Sequence, residues 1–177
     1  VAACQTNVAA GHLHAAKPDG RSLKVLLAED NPVNIKLMDI HLHKLGHEAV
    51  AATSGEAALA ALADTDFDLV LMDIEMPSMD GLTAARLIRA GGRIDAPVFN
   101  PQVPIVAVTA HVSTEVRQAC VEAGMNAYLG KPINLEELAL TIERLARPAA
   151  RIGDALPGAT AAEPARIPPP HTETACS

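Results

Sequence analysis

Short apolar runs alternate five times with stretches of helical periodicity, and no other feature of the sequence constrains the fold as strongly. The apolar runs lie at residues 23–28, 47–52, 69–72, 104–108 and 127–130. Each run is short and bounded by turn residues, which is typical of buried strands. The run at 47–52 alternates only weakly and is predicted to be an edge strand. Alternating strands and helices predict an α/β fold in which helices cover both faces of a parallel sheet.

Capping residues mark where the predicted helices begin. Asn31-Pro32 opens the first helix, residues 53–56 have capping-box spacing, and Asp80 opens the third helix. Asn134 caps the last helix. Residues 93–103, which include two prolines, are predicted to form a loop.

The composition changes at both ends of the predicted domain, which spans residues 23–147. Residues 1–22 are Ala-rich and aperiodic, and are predicted to be a linker or disordered lead-in. Residues 148–177 form a Pro/Ala-rich tail that is predicted to be disordered. Because residue 1 is Val rather than Met, we expect the chain to be part of a longer protein.

The net charge and hydropathy exclude some classes of function. A formal net charge of −7 argues against direct nucleic-acid binding and against binding to anionic membranes. No apolar run approaches the roughly 18 residues of a membrane span. We therefore expect neither nucleic acid nor membrane contact for this segment.

Polar residues follow four of the predicted strands, at the point where each strand ends. They are Glu29-Asp30, Asp73, Thr109 and Lys131. The carboxyl ends of parallel strands meet at one edge of the sheet, where open α/β sheets bind ligands. Each residue alone has an ordinary explanation, since a carboxylate after a strand often caps a helix and a lysine there is usually solvated. All four at one edge favour a functional site.

The predicted cluster suits phosphoryl transfer to a carboxylate. Three converging carboxylates would repel one another, and a hard divalent cation such as Mg²⁺ would offset that repulsion. The hydroxyl of Thr109 and the ammonium of Lys131 are suitable groups for binding phosphate oxygens. Asp73 is then a candidate nucleophile that forms an aspartyl phosphate.

Four motifs give the chain a strong resemblance to the receiver domains of two-component response regulators. They are Ala28-Glu29-Asp30-Asn31, Leu71-Met72-Asp73-Ile74-Glu75-Met76-Pro77 followed by Asp80-Gly81, Val108-Thr109-Ala110, and Tyr128-Leu129-Gly130-Lys131-Pro132. The resemblance covers about residues 23–147. It implies a flavodoxin-like (βα)5 doubly wound fold, with a five-stranded parallel sheet of order 2-1-3-4-5.

The resemblance also assigns roles to individual residues. Asp73 would accept the phosphoryl group, and Glu29, Asp30, Asp73 and the backbone carbonyl of Glu75 would hold Mg²⁺. Thr109, Ala110 and Lys131 would bind the phosphoryl group, and the Lys131-Pro132 peptide bond would be cis. Tyr128 would be the switch aromatic that moves inward when Thr109 moves toward the phosphoryl group. The side chains of Glu75 and His111 would tune the lifetime of the phosphorylated state.

The wording of the first and third motifs is most similar to receivers attached to hybrid sensor histidine kinases. The implied phosphodonor is a histidine kinase or a histidine phosphotransfer domain, and the face at residues 113–147 is a possible homodimer contact. The implied location is the bacterial cytoplasm, with tethering through a membrane-bound parent kinase. The chain itself would be a phosphoacceptor with at most slow autodephosphorylation, rather than an enzyme.

Three alternatives remain open on the sequence. The first is a stand-alone, single-domain response regulator. The second is an aspartyl-phosphate phosphohydrolase of the haloacid-dehalogenase type, although such enzymes need a second Asp two residues after the nucleophile, where this chain has Glu75. The third is a degenerate receiver used only for docking, which predicts a missing acidic or lysine position, although none is missing here.

Overall fold

The computed structural model describes residues 22–146. In chain order the elements are β1 (Lys24–Ala28), α1 (Pro32–Lys44), β2 (Glu48–Ala52), α2 (Gly55–Asp64), β3 (Leu69–Asp73), α3 (Gly81–Arg89), the short strands β4 (Gly92–Arg93) and β5 (Ala96–Pro97), β6 (Ile105–Thr109), α4 (Thr114–Glu122), β7 (Ala127–Gly130) and α5 (Leu135–Ala146). The predicted tail at 148–177, and all but the last residue of the predicted lead-in at 1–22, lie outside the described residues. Both assignments therefore stay predictions.

The main sheet has five parallel strands in the order β2-β1-β3-β6-β7. With β4 and β5 set aside, this is the predicted order 2-1-3-4-5. The edge position predicted for β2 is also confirmed. β3 lies at the centre of the sheet, and its Leu71 is in register with Leu27 of β1 and Val106 of β6.

Helices cover both faces of the sheet, so the central strand is buried on both sides. All five residues of β3 are buried. Val70 and Met72 pack in the core cluster on the side of α2 and α3. Leu69 and Leu71 pack in the cluster on the side of α1 and α5. The period of two along a strand sends alternate side chains to opposite faces, which explains why β3 is apolar from Leu69 to Met72.

The predicted loop at 93–103 is partly a small antiparallel hairpin formed by β4 and β5, which pairs Gly92 with Pro97 and Arg93 with Ala96. Gly92 has a φ of 87°, and a Cβ there would lie 2.7 Å from the carbonyl oxygen of Ala96. The buried side chain of Val98 anchors the chain after the hairpin. Two-residue strands are too short to give a periodic signal, which is why the sequence indicated only a loop.

The helix caps agree with the sequence except at α2. Asn31 caps α1 and Asp80 caps α3, each accepting a hydrogen bond from a backbone N–H in the first turn. At α2 the cap is Ser54, whose Oγ accepts from the N–H of Ala57 at 3.1 Å. The capping box predicted to start at residue 53 is therefore wrong by one position. Within residues 22–146, no helix is long and apolar enough to cross a lipid bilayer.

Candidate functional site

The carboxyl ends of four parallel strands bring the predicted residues to one edge of the sheet. Glu29 and Asp30 directly follow β1, Asp73 ends β3, Thr109 ends β6, and Lys131 directly follows β7. The strands β1, β3, β6 and β7 are neighbours in the sheet. Residues separated by up to about a hundred positions in sequence therefore meet in one cluster.

Asp73 is buried at the centre of this cluster, with only 2% of its surface exposed. Its Oδ1 accepts a hydrogen bond from the backbone N–H of Glu75 at 3.0 Å, and its Oδ2 accepts from Lys131 Nζ at 2.6 Å. The first residue of α3 approaches the same strand end closely, because a Cβ on Gly81 would lie 2.1 Å from the Asp73 carbonyl oxygen. Only glycine fits there, and the approach fixes the turn that follows Asp73.

Glu29 is also buried, and both of its carboxylate oxygens have partners. Oε2 lies 2.8 Å from Lys131 Nζ. Oε1 accepts from Asn34 Nδ2 at 2.8 Å and, more weakly, from the backbone N–H of Asn31 at 3.3 Å. The first turn of α1 therefore sets the orientation of this carboxylate.

Lys131 bridges the two buried carboxylates. The Lys131-Pro132 peptide bond is cis, as the resemblance implied. The backbone N–H of Lys131 donates to the carbonyl oxygen of Thr109 at 2.7 Å, which ties the end of β7 to the end of β6. The ammonium is thereby held between Glu29 and Asp73.

Burial and pairing act against each other on the charges of this site. Burial raises the pKa of Asp73 and the charge of Glu29 adds to that rise, while the hydrogen bonds from Lys131 and Glu75 oppose it. Burial alone would lower the pKa of Lys131. Its hydrogen bonds to Asp73 and Glu29 outweigh that effect and raise the pKa. The ammonium is therefore charged at neutral pH and favours ionised carboxylates beside it.

The acidic residues fit a hard divalent cation. Glu29, Asp30 and Asp73 each place a carboxylate oxygen within 4.8 Å of the others, with Asp30 exposed and the other two buried. Three carboxylates against one ammonium leave an excess of two negative charges, which a divalent cation would neutralise. Oxygen-only donors with one side open to solvent suit Mg²⁺, which retains several waters. The role predicted for the Glu75 carbonyl as a further ligand stays a prediction.

Thr109 lies at the site but its hydroxyl is engaged within its own loop. The side chain is buried, and Oγ1 donates to the carbonyl oxygen of His111 at 3.0 Å and accepts from the N–H of His111 at 3.1 Å. Ala110 and His111 are exposed beside it. Both of these hydrogen bonds of Thr109 Oγ1 therefore stay within the loop from Thr109 to His111.

Tyr128 lies outside the cluster, with 36% of its surface exposed. The guanidinium of Arg117, on α4, lies 4.9 Å from the centre of its ring, within the range of a cation–π interaction. The ring is therefore held against α4 rather than packed in the core.

The sequence did not predict two of the contacts at or near the site, that of Asn34 with Glu29 and that of Arg117 with Tyr128. Asn34 is the third residue of α1, where an Asn side chain has no strong signature. Its hydrogen bond to Glu29 depends on the direction of the Glu29 carboxylate, which the sequence does not give. Arg117 and Tyr128 meet only because α4 packs beside β7.

Comparisons with known proteins agree on the family. Residues 25–143 match the model of the response regulator receiver domain. The chain is 41% identical over 122 residues to the sensor protein GacS of Pseudomonas syringae, covering 69% of this chain and 13% of that protein. It is 33% identical over 127 residues to the sensor histidine kinase RcsC of Escherichia coli, covering 72% of this chain and 12% of that protein.

Solved receiver structures have the same fold. The receiver domain of a sensor histidine kinase from Pseudomonas aeruginosa superimposes with a TM-score of 0.63 at 35% identity, covers 71% of this chain and 98% of its own, and has a magnesium ion coordinated in its active-site cleft. The chemotaxis protein CheY4 of Vibrio cholerae gives a TM-score of 0.62 at 29% identity and covers 71% of this chain and 99% of its own. The chain belongs to the response regulator receiver domain family, and its similarity to sensor histidine kinases agrees with the predicted resemblance to hybrid-kinase receivers.

Proposed function

We propose that Asp73 accepts a phosphoryl group from a phosphohistidine in a two-component phosphorelay. The observation that carries the proposal is the setting of the Asp73 carboxylate, which is buried, lies 2.6 Å from Lys131 Nζ and lies among two further carboxylates. A carboxylate that served only as a helix cap would gain nothing from such surroundings. Buried titratable groups with shifted pKa values and charged partners are typical of functional sites.

In the proposed transfer, an oxygen of Asp73 forms a bond to phosphorus while the phosphorus–nitrogen bond of the donor breaks. The electron pair of that bond stays on the donor imidazole, which takes up a proton. Lys131 favours the ionised carboxylate that the attack requires, and its ammonium then neutralises charge on the phosphoryl oxygens. Glu29, Asp30, Asp73 and the Glu75 carbonyl would hold Mg²⁺, which when bound supplies further positive charge to those oxygens.

Phosphorylation is proposed to act through Thr109, Ala110 and Tyr128. To reach a phosphoryl group on Asp73, the Thr109 hydroxyl must leave its two hydrogen bonds to His111. The backbone of Ala110 would then move toward the phosphoryl group as well. The space vacated by Thr109 would accept the ring of Tyr128, so a local change of charge would bias a two-state element.

The side chains of Glu75 and His111 are exposed next to the site, and we assign them to tuning the lifetime of the aspartyl phosphate. Both can control how water reaches the acyl phosphate. Glu75 would act through its charge, because it lies two residues after Asp73.

The phosphodonor is proposed to dock on α1. Val33, Leu37 and Ile40 lie one or two turns apart on this helix, with 73%, 43% and 40% of their surfaces exposed. They form an apolar stripe that begins beside Asn31 and Glu29, at the edge where Asp73 lies. We infer that a histidine kinase or a histidine phosphotransfer domain binds this stripe, and that the parent protein is a hybrid kinase with this domain on its cytoplasmic side.

Acetyl phosphate tests the proposal without a protein donor. Incubation with acetyl phosphate and Mg²⁺ should add one phosphoryl group, read by intact-protein mass spectrometry, and EDTA should prevent it. Asp73→Asn should abolish the addition. Asp64→Asn, an exposed carboxylate at the far end of α2, is the matched control and should be labelled like the wild type. Labelling of Asp73→Asn at the wild-type level would contradict the assignment.

A further inference from the structure

Asn34 makes one short hydrogen bond to the acidic cluster but supplies no carboxylate to it. Its amide Nδ2 donates to Glu29 Oε1 at 2.8 Å, while Lys131 holds the other oxygen of Glu29 at 2.8 Å. The remaining contact to Oε1, from the backbone N–H of Asn31, is longer at 3.3 Å. Asn34 therefore provides the best side-chain restraint on the Oε1 side of this carboxylate.

Glu29 needs such a restraint more than the aspartates of the cluster do. A glutamate has one more rotatable bond than an aspartate, and fixing a long side chain costs up to about 2 kcal/mol of conformational entropy. Asp73 has a shorter side chain, and its Oδ1 already accepts a hydrogen bond from the backbone N–H of Glu75 at 3.0 Å. Glu29 lies just beyond its strand, in the connection to α1, and its orientation depends on the groups that contact it.

The choice of an amide at this position also has an electrostatic reason. With Asn31 as the N-cap, Asn34 is the third residue of the helix, where the capping-box pattern favours Glu or Gln. A carboxylate there would add a fourth negative charge beside Glu29, Asp30 and Asp73. A neutral amide donates a hydrogen bond to Glu29 and leaves the charge of the cluster unchanged.

We propose that Asn34 is a positioning residue for the metal site, and that it raises Mg²⁺ affinity by holding Glu29 in its binding orientation. This inference rests on the proposed function of the acidic cluster. Groups that orient metal ligands in this way typically contribute about 10-fold to 100-fold in metal affinity. We expect the lower end of that range here, because Lys131 and Asn31 also contact Glu29.

The test is Mg²⁺ binding to Asn34→Leu, measured by isothermal titration calorimetry in the absence of any phosphodonor. The dissociation constant for Mg²⁺ should rise about tenfold. Asn34→Ala is the second variant, since it also removes the donor but keeps a high helix propensity. Labelling by acetyl phosphate should fall at limiting Mg²⁺ and return to the wild-type level at saturating Mg²⁺. A purely structural role for Asn34 would instead lower the melting temperature in EDTA and leave the Mg²⁺ dissociation constant unchanged.

Gln118 offers a matched control, because its amide also donates to a glutamate, Glu122, at 3.0 Å, but on the exposed surface of α4. Gln118→Leu should bind Mg²⁺ like the wild type. Wild-type affinity in both Asn34 variants, or equal weakening in Gln118→Leu, would overturn the inference alone. A wild-type protein that binds no Mg²⁺ would overturn the metal site as well, so the two failures are distinguishable.

Discussion

At the scale of single residues, the site holds buried charges that depend on one another for compensation. Two carboxylates with about 3% of their side-chain surfaces exposed share one ammonium, that of Lys131. Burying charges is costly unless each is paired and hydrogen-bonded, and removing one partner leaves the others uncompensated. The free energy of unfolding should therefore depend strongly on Lys131 in the absence of metal.

Lys131→Gln should lower the free energy of unfolding in EDTA by about 2 kcal/mol, because it removes a charged donor from two buried carboxylates. Added Mg²⁺ should then stabilise the variant more than it stabilises the wild type, since the cation is the remaining compensating charge. Urea unfolding with and without Mg²⁺ measures both effects. Lys36→Gln breaks only an exposed pair with Asp39 and should cost less than about 1 kcal/mol. Equal losses in the two variants would contradict this account.

The burial of His41 predicts that the free energy of unfolding depends on pH, independently of the acidic cluster. Its Nδ1 is buried without a hydrogen-bond partner in the described part of the chain, and burial, with a smaller contribution from Lys44, lowers its pKa. A lowered pKa means that the unfolded chain binds the proton more tightly than the folded domain does. The stability that this group contributes is therefore present above its unfolded pKa of about 6.5 and is lost as the pH falls through its lower folded pKa.

His41→Leu should accordingly make the stability less dependent on pH between about pH 7 and pH 5. Thermal unfolding across that range, in buffers without Mg²⁺, is the measurement. His43→Leu, on the exposed side of the same helix, is the control. A variant as acid-sensitive as the wild type would show that other groups carry the pH dependence.

At the scale of secondary-structure elements, α1 combines two proposed tasks. Its first turn holds Glu29 through Asn31 and Asn34, and its outer surface presents the apolar stripe of Val33, Leu37 and Ile40. A donor that docks on this stripe approaches Asp73 from the side of the helix N-terminus. A small donor needs no such contact, which makes the two tasks separable.

Leu37→Asp should leave labelling by acetyl phosphate at the wild-type rate and slow transfer from a phosphorylated histidine phosphotransfer domain by at least about tenfold, equivalent to 1.4 kcal/mol of binding. The reason is that the apolar contact is lost and that a carboxylate in the stripe would have to be desolvated when the donor binds. Val121→Asp, which introduces the same charge at an exposed valine on α4, should accept the phosphoryl group at the wild-type rate. If both variants behave alike, the stripe on α1 is not the docking surface.

Tyr128 is a fluorescent probe of β7, because the chain contains one Tyr and no Trp. Its fluorescence therefore reports on one ring, which lies under Arg117 and is 36% exposed. Phosphorylation with acetyl phosphate and Mg²⁺ should change the emission and reduce quenching by iodide as the ring becomes buried. Asp73→Asn should show neither change. An unchanged emission in fully phosphorylated wild-type protein would exclude movement of this ring.

At the scale of the whole molecule, stability depends on the central strand that also carries Asp73. Leu71 is fully buried and pairs in register with Leu27 and Val106. Leu71→Ala should lower the free energy of unfolding by about 2–5 kcal/mol, through lost burial and a cavity. Leu140→Ala, at a residue with 62% of its surface exposed, should change it by less than about 0.5 kcal/mol. Urea denaturation compares the two, and similar losses would contradict the assignment of the core.

The parallel sheet and the identity of the polar residues at the strand ends could be predicted from the sequence pattern, and the order of the strands through the family resemblance. The alternation of apolar runs with helical periodicity requires a parallel sheet, and strand ends in such a sheet converge. The sequence therefore predicted that Asp73 and Lys131 lie close together. It did not predict the hairpin at 92–97 or the cap at Ser54, because both depend on a few residues whose local signals are weak or ambiguous.

The amino-acid sequence by itself determined the fold class, the sheet order through the family resemblance, and the group of polar residues at the carboxyl edge of the sheet, because hydrophobic periodicity and strand ends are local properties. Only the tertiary structure decided how those groups are paired. That Lys131 bridges Glu29 and Asp73, that Asn34 donates to Glu29, and that Arg117 lies over Tyr128 all depend on side-chain directions across elements. Hydrogen bonds and cation–π contacts form over a few ångströms, and such distances are set only when helices and strands have packed against one another.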